Sequence, residues 1–422
     1  MRRPSLLAAG VALVIAVVLI LMAYAGAKHS LSSRLDEVAL ANLEMNRLGL
    51  QSQKAVLSRD DYLPVHGSCE LNLRVFDRID RFFASKPTGF RVEPLAKAGN
   101  TDLLIAETCA ALGPAIRNKK LVVIISPEWF YRPQVVDVHY AGNFSIEHAL
   151  AALTSPTLDD VIKRRLAKRM ADYPRTLDKN PILKQLVLAI EEDSPAATMA
   201  LRTATLCAAG YQWVLNLSDP LFTWIEFATT RRRFPQADPS LTASGIDWKM
   251  AYSNGEQQFQ KMTDGNPLGF KKKVWLRLLN KDQATLHDFQ LPNFDIIGNT
   301  KEWEDLEILL EVLKQNAARP LLLAMPVSGK FFATLGADKQ AWATYYMRLR
   351  EAAQHYGFPL YDFEEYENDP RFRGYDDLNP EGWLHLNMVA DAFFHDRLSE
   401  VSIGDVRIPD QMHHFRRSLT RD

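Results

Sequence analysis

The stretch Tyr62-Leu63-Pro64-Val65-His66-Gly67-Ser68-Cys69-Glu70-Leu71 decides the fold. A short apolar run, Tyr62 to Val65, meets the glycine of a tight turn. Beyond it Leu71, Leu73, Val75, Phe76, Ile79 and Phe82 or Phe83 recur at roughly helical spacing. The pattern predicts a strand that turns through Gly67 into a helix from Leu71 to Phe83, with Cys69 at the helix N-terminus. Free backbone N–H groups at such a terminus favour a thiolate and an oxyanion. That is nucleophile geometry. The same residues also fit a buried cysteine in an ordinary strand-helix turn, because cysteine is among the most interior of residue types.

Downstream, Pro94 to Asp102 reads as a strand-to-helix passage pivoting on Gly99, Asp102 to Leu112 as a helix, and Leu121 to Ile125 as a strand buried on both faces. That strand stops at Ser126-Pro127-Glu128-Trp129-Phe130. Residues 61–135 therefore alternate strand and helix, the signal of a parallel α/β sheet. From 136 to 295 helical periodicity dominates, in Ile146 to Leu153, Leu158 to Met170, Pro181 to Glu192 and Ala196 to Trp213. This mainly helical insertion carries the basic clusters Lys163-Arg164-Arg165, Arg231-Arg232-Arg233 and Lys271-Lys272-Lys273. They fit solvated helix faces or contacts to anionic polymer or lipid heads. Trp213, Phe222, Trp224 and Phe227 fit either a groove or the core.

The α/β pattern returns over 296–400. A helix runs from Trp303 to Gln315, a buried strand from Leu321 to Met325, a helix from Trp342 to Tyr356, a short strand from Leu360 to Phe363 and a last helix from Leu384 to Leu398. Residues 401–422 read as a loose basic tail.

Toward the N-terminus, Leu6 to Ala27 is an uncharged run that follows Arg2 and Arg3. It is long enough to cross the ~30 Å apolar core of a bilayer. A cleavable signal peptide is the competing reading, with Ala25-Gly26-Ala27 as its small-residue site. The run exceeds the usual signal-peptide core of about 7–15 residues, which favours a retained anchor in 1–27. The positive-inside rule then leaves the N-terminus in the cytoplasm. Residues 28–60 become a helical stalk, and the rest of this single-pass cell-membrane protein lies outside.

The totals exclude several classes. A hydrophobic fraction of 47% over 422 residues supplies a sizeable core, and a net charge of −1 gives no pull toward nucleic acid. Three cysteines without a CxxC pair argue against a disulfide framework or a zinc site. The glycines form neither a P-loop nor a dinucleotide fingerprint, so neither metal nor cofactor is expected.

Taken together, the motifs resemble the DltD family, membrane-anchored proteins of the D-alanylation system that esterifies teichoic acids. Tyr62 to Leu71 is similar to that family's Y-x-P-x-x-G-S-S-E-L. Ala98-Gly99-Asn100-Thr101-Asp102 sits where it has A-G-G-S-T-D, and Ile124 to Phe130 resembles its I-I-S-P-Q-W-F. Lys163-Arg164-Arg165 with Pro174 follows its K-R-R helix. Pro326-Val327-Ser328-Gly329 and Tyr361-Asp362 match later strand ends. The resemblance implies an SGNH-hydrolase/flavodoxin-like parallel sheet with a large helical insertion behind one transmembrane helix. It also implies three partners: an anionic envelope polymer or lipid-linked acceptor, a membrane-bound acyl-export protein, and an acyl carrier.

The family's nucleophile is the second serine of G-S-S-E, and here that position is Cys69. Its acid and base come from D-x-x-H-x-G-x-x-G-W. Aligned on Gly382-Trp383, Gly374 takes the Asp position and Asp377 the His position, so the His-Asp pair is missing. A thiol is nonetheless a better nucleophile than a hydroxyl and can work without a full triad. Acyl transfer through a Cys69 thioester would use the Gly99 and Cys69 backbone N–H groups and the Asn100 side chain for the oxyanion. Asp377 is a poorer base than histidine. His385, two residues past Trp383, and His66 are the candidate replacement imidazoles, although His66 stands an odd number of residues from Cys69 on its strand. Glu70 and Asp376 read as structural or solvated.

Three functions follow. They are a D-alanyl acyltransferase with a reactive Cys69, a catalytically inactive scaffold for the acyl-export machinery, and an SGNH-type thioesterase or esterase.

Overall fold

The computed structural model describes residues 3–41, 49–72, 77–192, 195–229, 245–279, 297–334, 339–375 and 377–400. Tyr62–Gly67 (β1), Arg91–Ala96 (β2), Lys120–Ile125 (β3), Arg319–Ala324 (β4) and Leu360–Asp362 (β5) form one sheet. Its order is β2-β1-β3-β4-β5, and every pairing is parallel. The expected α/β fold is therefore present, with the strand order of flavodoxin-like doubly wound sheets.

Both faces of the sheet are covered, which is why its central strands read as continuous apolar runs. Alternation along β3 divides the interior in two. Leu121, Val123 and Ile125 join the core shared with the Asp102–Leu112 and Glu302–Gln315 helices. Val122 and Ile124 join the opposite core, shared with the Ile79–Ser85 and Pro380–Phe394 helices. Each such side chain, once fully buried, contributes roughly 1.5–3 kcal/mol.

Between β3 and β4 the insertion is helical, as expected. Ile146–Leu153, Asp160–Ala171 and Pro181–Glu191 extend the first core outward. Arg169 of the second of these is buried and forks onto Asp305 at 2.6 and 2.9 Å, so this part of the basic helix is internal rather than solvated. The final insertion helix predicted to end at Trp213 instead runs Pro195–Thr229, straight through Pro220. The Arg231-Arg232-Arg233 cluster and the 401–422 tail lie outside the described residues.

Two expectations are corrected. The single helix from Leu71 to Phe83 is instead a short 3₁₀ turn, Cys69–Asn72, and a separate helix, Ile79–Ser85; residues 73–76 lie outside the described ones. The 28–60 segment is not a free stalk. Leu50 and Leu57 enter the first core, while Val38, Ala39 and Val56 pack with Tyr62 of β1. The Arg3–Ser32 helix holds the one stretch, Ala8–Ser32, that is long and apolar enough to cross a membrane among the described residues.

The loop after β5 folds tightly over the start of the last helix. Asn379 donates to the Gly269 and Pro370 carbonyls at 2.8 and 2.6 Å. A Cβ on Gly382 would stand 2.2 Å from the Phe372 carbonyl oxygen. Gly382→Ala is therefore expected to cost about 1–3 kcal/mol through overpacking against backbone. Thermal unfolding measures it, and an unchanged Tm contradicts this packing.

Candidate functional site at the carboxyl ends of β1 and β3

In an open α/β sheet, ligands bind outside the carboxyl ends of the strands, at the point where the strand order reverses. Here β1 has β2 on one side and β3 on the other, so that point lies between β1 and β3. β1 runs out into Ser68-Cys69-Glu70, and β3 into Ser126 and the Pro127–Trp129 turn that carries Glu128. Cys69 is partly exposed, while Ser68, Glu70 and Ser126 are buried.

Glu70 ties the two strand ends together. Its Oε1 accepts the Ser68 N–H at 2.6 Å and its Oε2 accepts the Ser126 hydroxyl at 3.1 Å. Oε2 also lies 3.9 Å from the Cys69 sulfur. The side chain can fold back this way because residue 67 is glycine, where a Cβ would sit 2.6 Å from Glu70 Oε1. Burial, with a further push from Glu128, raises the Glu70 carboxyl to about 7. Glu70 is therefore structural, as read, and buried rather than solvated, and its carboxyl also stands beside the thiol at a pKa suited to a general base.

The thiol itself is not pre-ionised. Burial and the charges of Glu128, Glu70 and Asp377 push its pKa well above the usual thiol value, and Arg373 alone pulls the other way. The four-residue 3₁₀ turn at Cys69 also lacks the macrodipole of a full helix. The expected spontaneous thiolate is thus replaced by a protonated thiol. Iodoacetamide at pH 7 is expected to modify exposed Cys207 faster than Cys69. Peptide mapping reads the order, and faster labelling of Cys69 contradicts the electrostatics.

Arg373 comes from the loop after β5. It is buried, and its Nη2 donates to Glu128. Its Nε and Nη1 have no hydrogen-bond acceptor among the described residues. Buried donors without acceptors are uncommon and point to a ligand, water or developing charge.

The sequence-predicted residues divide into two groups. The Asn100 amide donates to the Gly67 carbonyl at 2.9 Å, so the loop after β2, in which Gly99 adopts φ +89°, is tied to the end of β1. Asp377 belongs to the same electrostatic neighbourhood, but its carboxylate accepts from Lys271 and raises the thiol pKa.

The imidazoles are elsewhere. His385 is buried with Nε2 2.6 Å from the Tyr361 hydroxyl and Nδ1 3.1 Å from that of Tyr252. Burial pushes its pKa down to about 3. His66 lies on the other side of β1, with Nε2 3.8 Å from the Cys109 sulfur, and burial lowers it to about 4. Among the described residues no imidazole is bonded to the Cys69 sulfur. Asp376 lies outside them.

Sequence reasoning missed Glu128 and Arg373, and it met Lys271 only as part of a basic cluster and Glu70 only as structural or solvated. The available signal was a carboxylate in Ser126-Pro127-Glu128-Trp129 at the end of a buried strand, where the resembling family carries Gln. No group of three or more His, Cys, Asp or Glu residues placed to hold a metal ion occurs among the described residues.

The model of the family described as DltD protein matches residues 42–395. Protein DltD of Bacillus subtilis (strain 168) is 26% identical over 352 residues, covering 82% of this chain and 86% of the relative. Protein DltD of Staphylococcus aureus (strain NCTC 8325 / PS 47) is 22% identical over 363 residues, with 82% and 86% covered. That of Lacticaseibacillus rhamnosus is 20% identical over 371 residues, with 84% and 82% covered. With a family match that takes in the sheet, the insertion and the last helix alike, the chain belongs to the DltD family.

Proposed function

We propose that this protein is a membrane-anchored acyl-transfer component of cell-envelope D-alanylation, with Cys69 as its nucleophile and Glu70 as its base. The observation that carries the reading is the 3.9 Å approach of Glu70 Oε2 to the Cys69 sulfur at the switch point of the sheet. The D-alanyl group and the teichoic acid or related acceptor come from the family resemblance. The SGNH-hydrolase-like character and the export partner have the same source. The Ala8–Ser32 helix supports a single-pass anchor with the domain extracytoplasmic.

An activated acyl donor, R–CO–X, is attacked by the Cys69 sulfur as its proton passes to Glu70 Oε2. Arg373 Nε and Nη1 and the Gly99 and Cys69 backbone N–H groups stabilise the oxyanion, with Asn100 fixing the loop. Collapse breaks the C–X bond, the proton returns from Glu70 to X, and Cys69 holds a thioester. An acceptor hydroxyl then attacks that thioester. Its proton passes through Glu70 to the departing sulfur, and an ester results.

A base acts best near its operating pH, and Glu70 at about 7 meets that condition. Only the deprotonated carboxylate accepts the proton, so acyl loading is expected to rise with pH through about 7. Intact-protein mass spectrometry tests the intermediate: wild type should gain a hydroxylamine-labile acyl adduct that maps to Cys69. An unmodified Cys69 after incubation with activated donor removes the thioester.

A second reading, a non-enzymatic partner of the acyl-export machinery, is favoured by the protonated thiol and the absence of an imidazole at the sulfur among the described residues. A thioesterase would use the same groups with water as acceptor.

A further inference from the structure

We infer that the outward face of the Pro195–Thr229 helix lies in the interface of the lipid bilayer and orients the domain on the membrane. The inference rests on the anchor reading above and extends it.

One side of this helix is fixed to the protein. Ala204 and Ala208 are buried in the first core, with Leu201, Tyr211 and Leu215 packed against it. Farther along, Asp219 accepts the Gln51 backbone N–H at 2.7 Å, and Ser52 donates to Thr223 at 3.3 Å. The other side faces outward and is apolar. Met199 is 67% exposed, Leu206 74% and Trp213 65%, joined on the same helical stripe by Trp224 at 43%. Among the exposed positions from Met199 to Ile225, Arg202 is the one charged residue. A water-facing helix surface normally carries charge at this spacing.

The bilayer is identified as the occupant by continuity. The Pro195–Thr229 helix packs against the Arg3–Ser32 helix. Within the membrane-length stretch Ala8–Ser32, the buried positions are Ala27 and Leu31, near the end remote from the N-terminus. From Ala8 to Met22 that stretch is open and apolar throughout, ready for lipid. The globular portion is therefore seated where the chain leaves the bilayer, and the long helix meets the span at that level. At about 1.5 Å per residue it is also far longer than the ~30 Å apolar layer. With Asp219 held to the domain, it lies along the surface rather than across it. Trp213 and Trp224 suit the headgroup region, and Arg202 can reach outward to phosphates.

The test uses the full chain in phosphatidylcholine–phosphatidylglycerol vesicles whose acyl chains carry bromine near the headgroup, with tryptophan fluorescence as readout. Flotation on a density gradient checks anchoring, and circular dichroism checks folding. Wild type is expected to float and to be quenched. Trp213→Phe with Trp224→Phe is expected to float and melt like wild type but lose most of the quenching. Equal quenching in both chains overturns the inference and leaves the anchor standing, as does a face covered only in native membranes, which indicates a protein partner. A wild-type chain that fails to float overturns the anchor, and this inference with it.

Discussion

Glu70→Gln is expected to slow acyl loading of Cys69 by about 10²–10⁴-fold, the usual contribution of a positioned general base, while the fold survives. Glutamine keeps the length of the side chain, an oxygen for the Ser68 N–H and an amide that can donate to the Ser126 hydroxyl, so the link between the ends of β1 and β3 remains. What it lacks is the basic carboxylate beside the sulfur.

The same substitution has an opposite effect on stability. Burial raises the Glu70 carboxyl from its unperturbed 4.5 to about 7. The folded state thus binds the proton more tightly than the unfolded chain does. The associated stability is complete below about 4.5 and is lost as pH rises through about 7. At pH 8 the wild type bears the full cost of a buried carboxylate, on the order of 3 kcal/mol by linkage. Glu70→Gln is therefore expected to be less active but no less stable at pH 8. Its pH-rate profile should also lose the inflection near 7. A variant as active as wild type, or one that keeps the inflection, removes Glu70 from the chemistry.

Arg373→Met is expected to lower kcat by about 10²–10³-fold, the measured scale for removing one oxyanion donor. It should also destabilise the fold by about 3 kcal/mol, because breaking a buried ion pair strands its partner. Glu128 keeps some solvent contact, with a side-chain exposure of 22%, so the lower end of the range for buried pairs applies. A donor aimed at charge that develops only during reaction changes kcat more than KM. Proportional loss in folded protein alone points instead to a structural arginine.

Glu128→Gln supplies an independent check if Arg373→Met fails to fold. Glu128 raises both the thiol and the Glu70 carboxyl. Its neutralisation should move the pH-rate midpoint downward, and a midpoint that stays in place contradicts the electrostatic account.

How much of this was legible in the sequence follows from how local each cause is. β3 and β4 announced themselves because strands covered on both faces must be apolar throughout. The Asp102–Leu112 helix was found to the residue, and the Trp303 to Gln315 helix to within one residue of Glu302–Gln315. The helix expected from Leu71 failed because a non-local bond decides that segment. Glu70 reaches Ser126, just past the end of β3, and the chain at Cys69–Asn72 tightens into a 3₁₀ turn instead.

The same reason governs the site. Cys69 and Asn100 lie on loops that parallel strand order places together, so strand-turn patterns sufficed. His385 lies near Trp383 in sequence, but position on a helix does not say which core a side chain enters, and tyrosine hydroxyls hold both its nitrogens. Glu70 was passed over because a carboxylate is rarely interior. Arg373 was invisible because its importance depends on Glu128, a residue from the far end of another strand.

The most direct measurement is the D-alanyl ester content of the envelope polymer in cells whose only copy of this protein carries Cys69→Ala. With the variant present at wild-type level in the membrane, the account predicts that the ester falls to the amount found in cells lacking the protein. Wild-type ester content would contradict it and leave a binding partner in place of an acyl carrier.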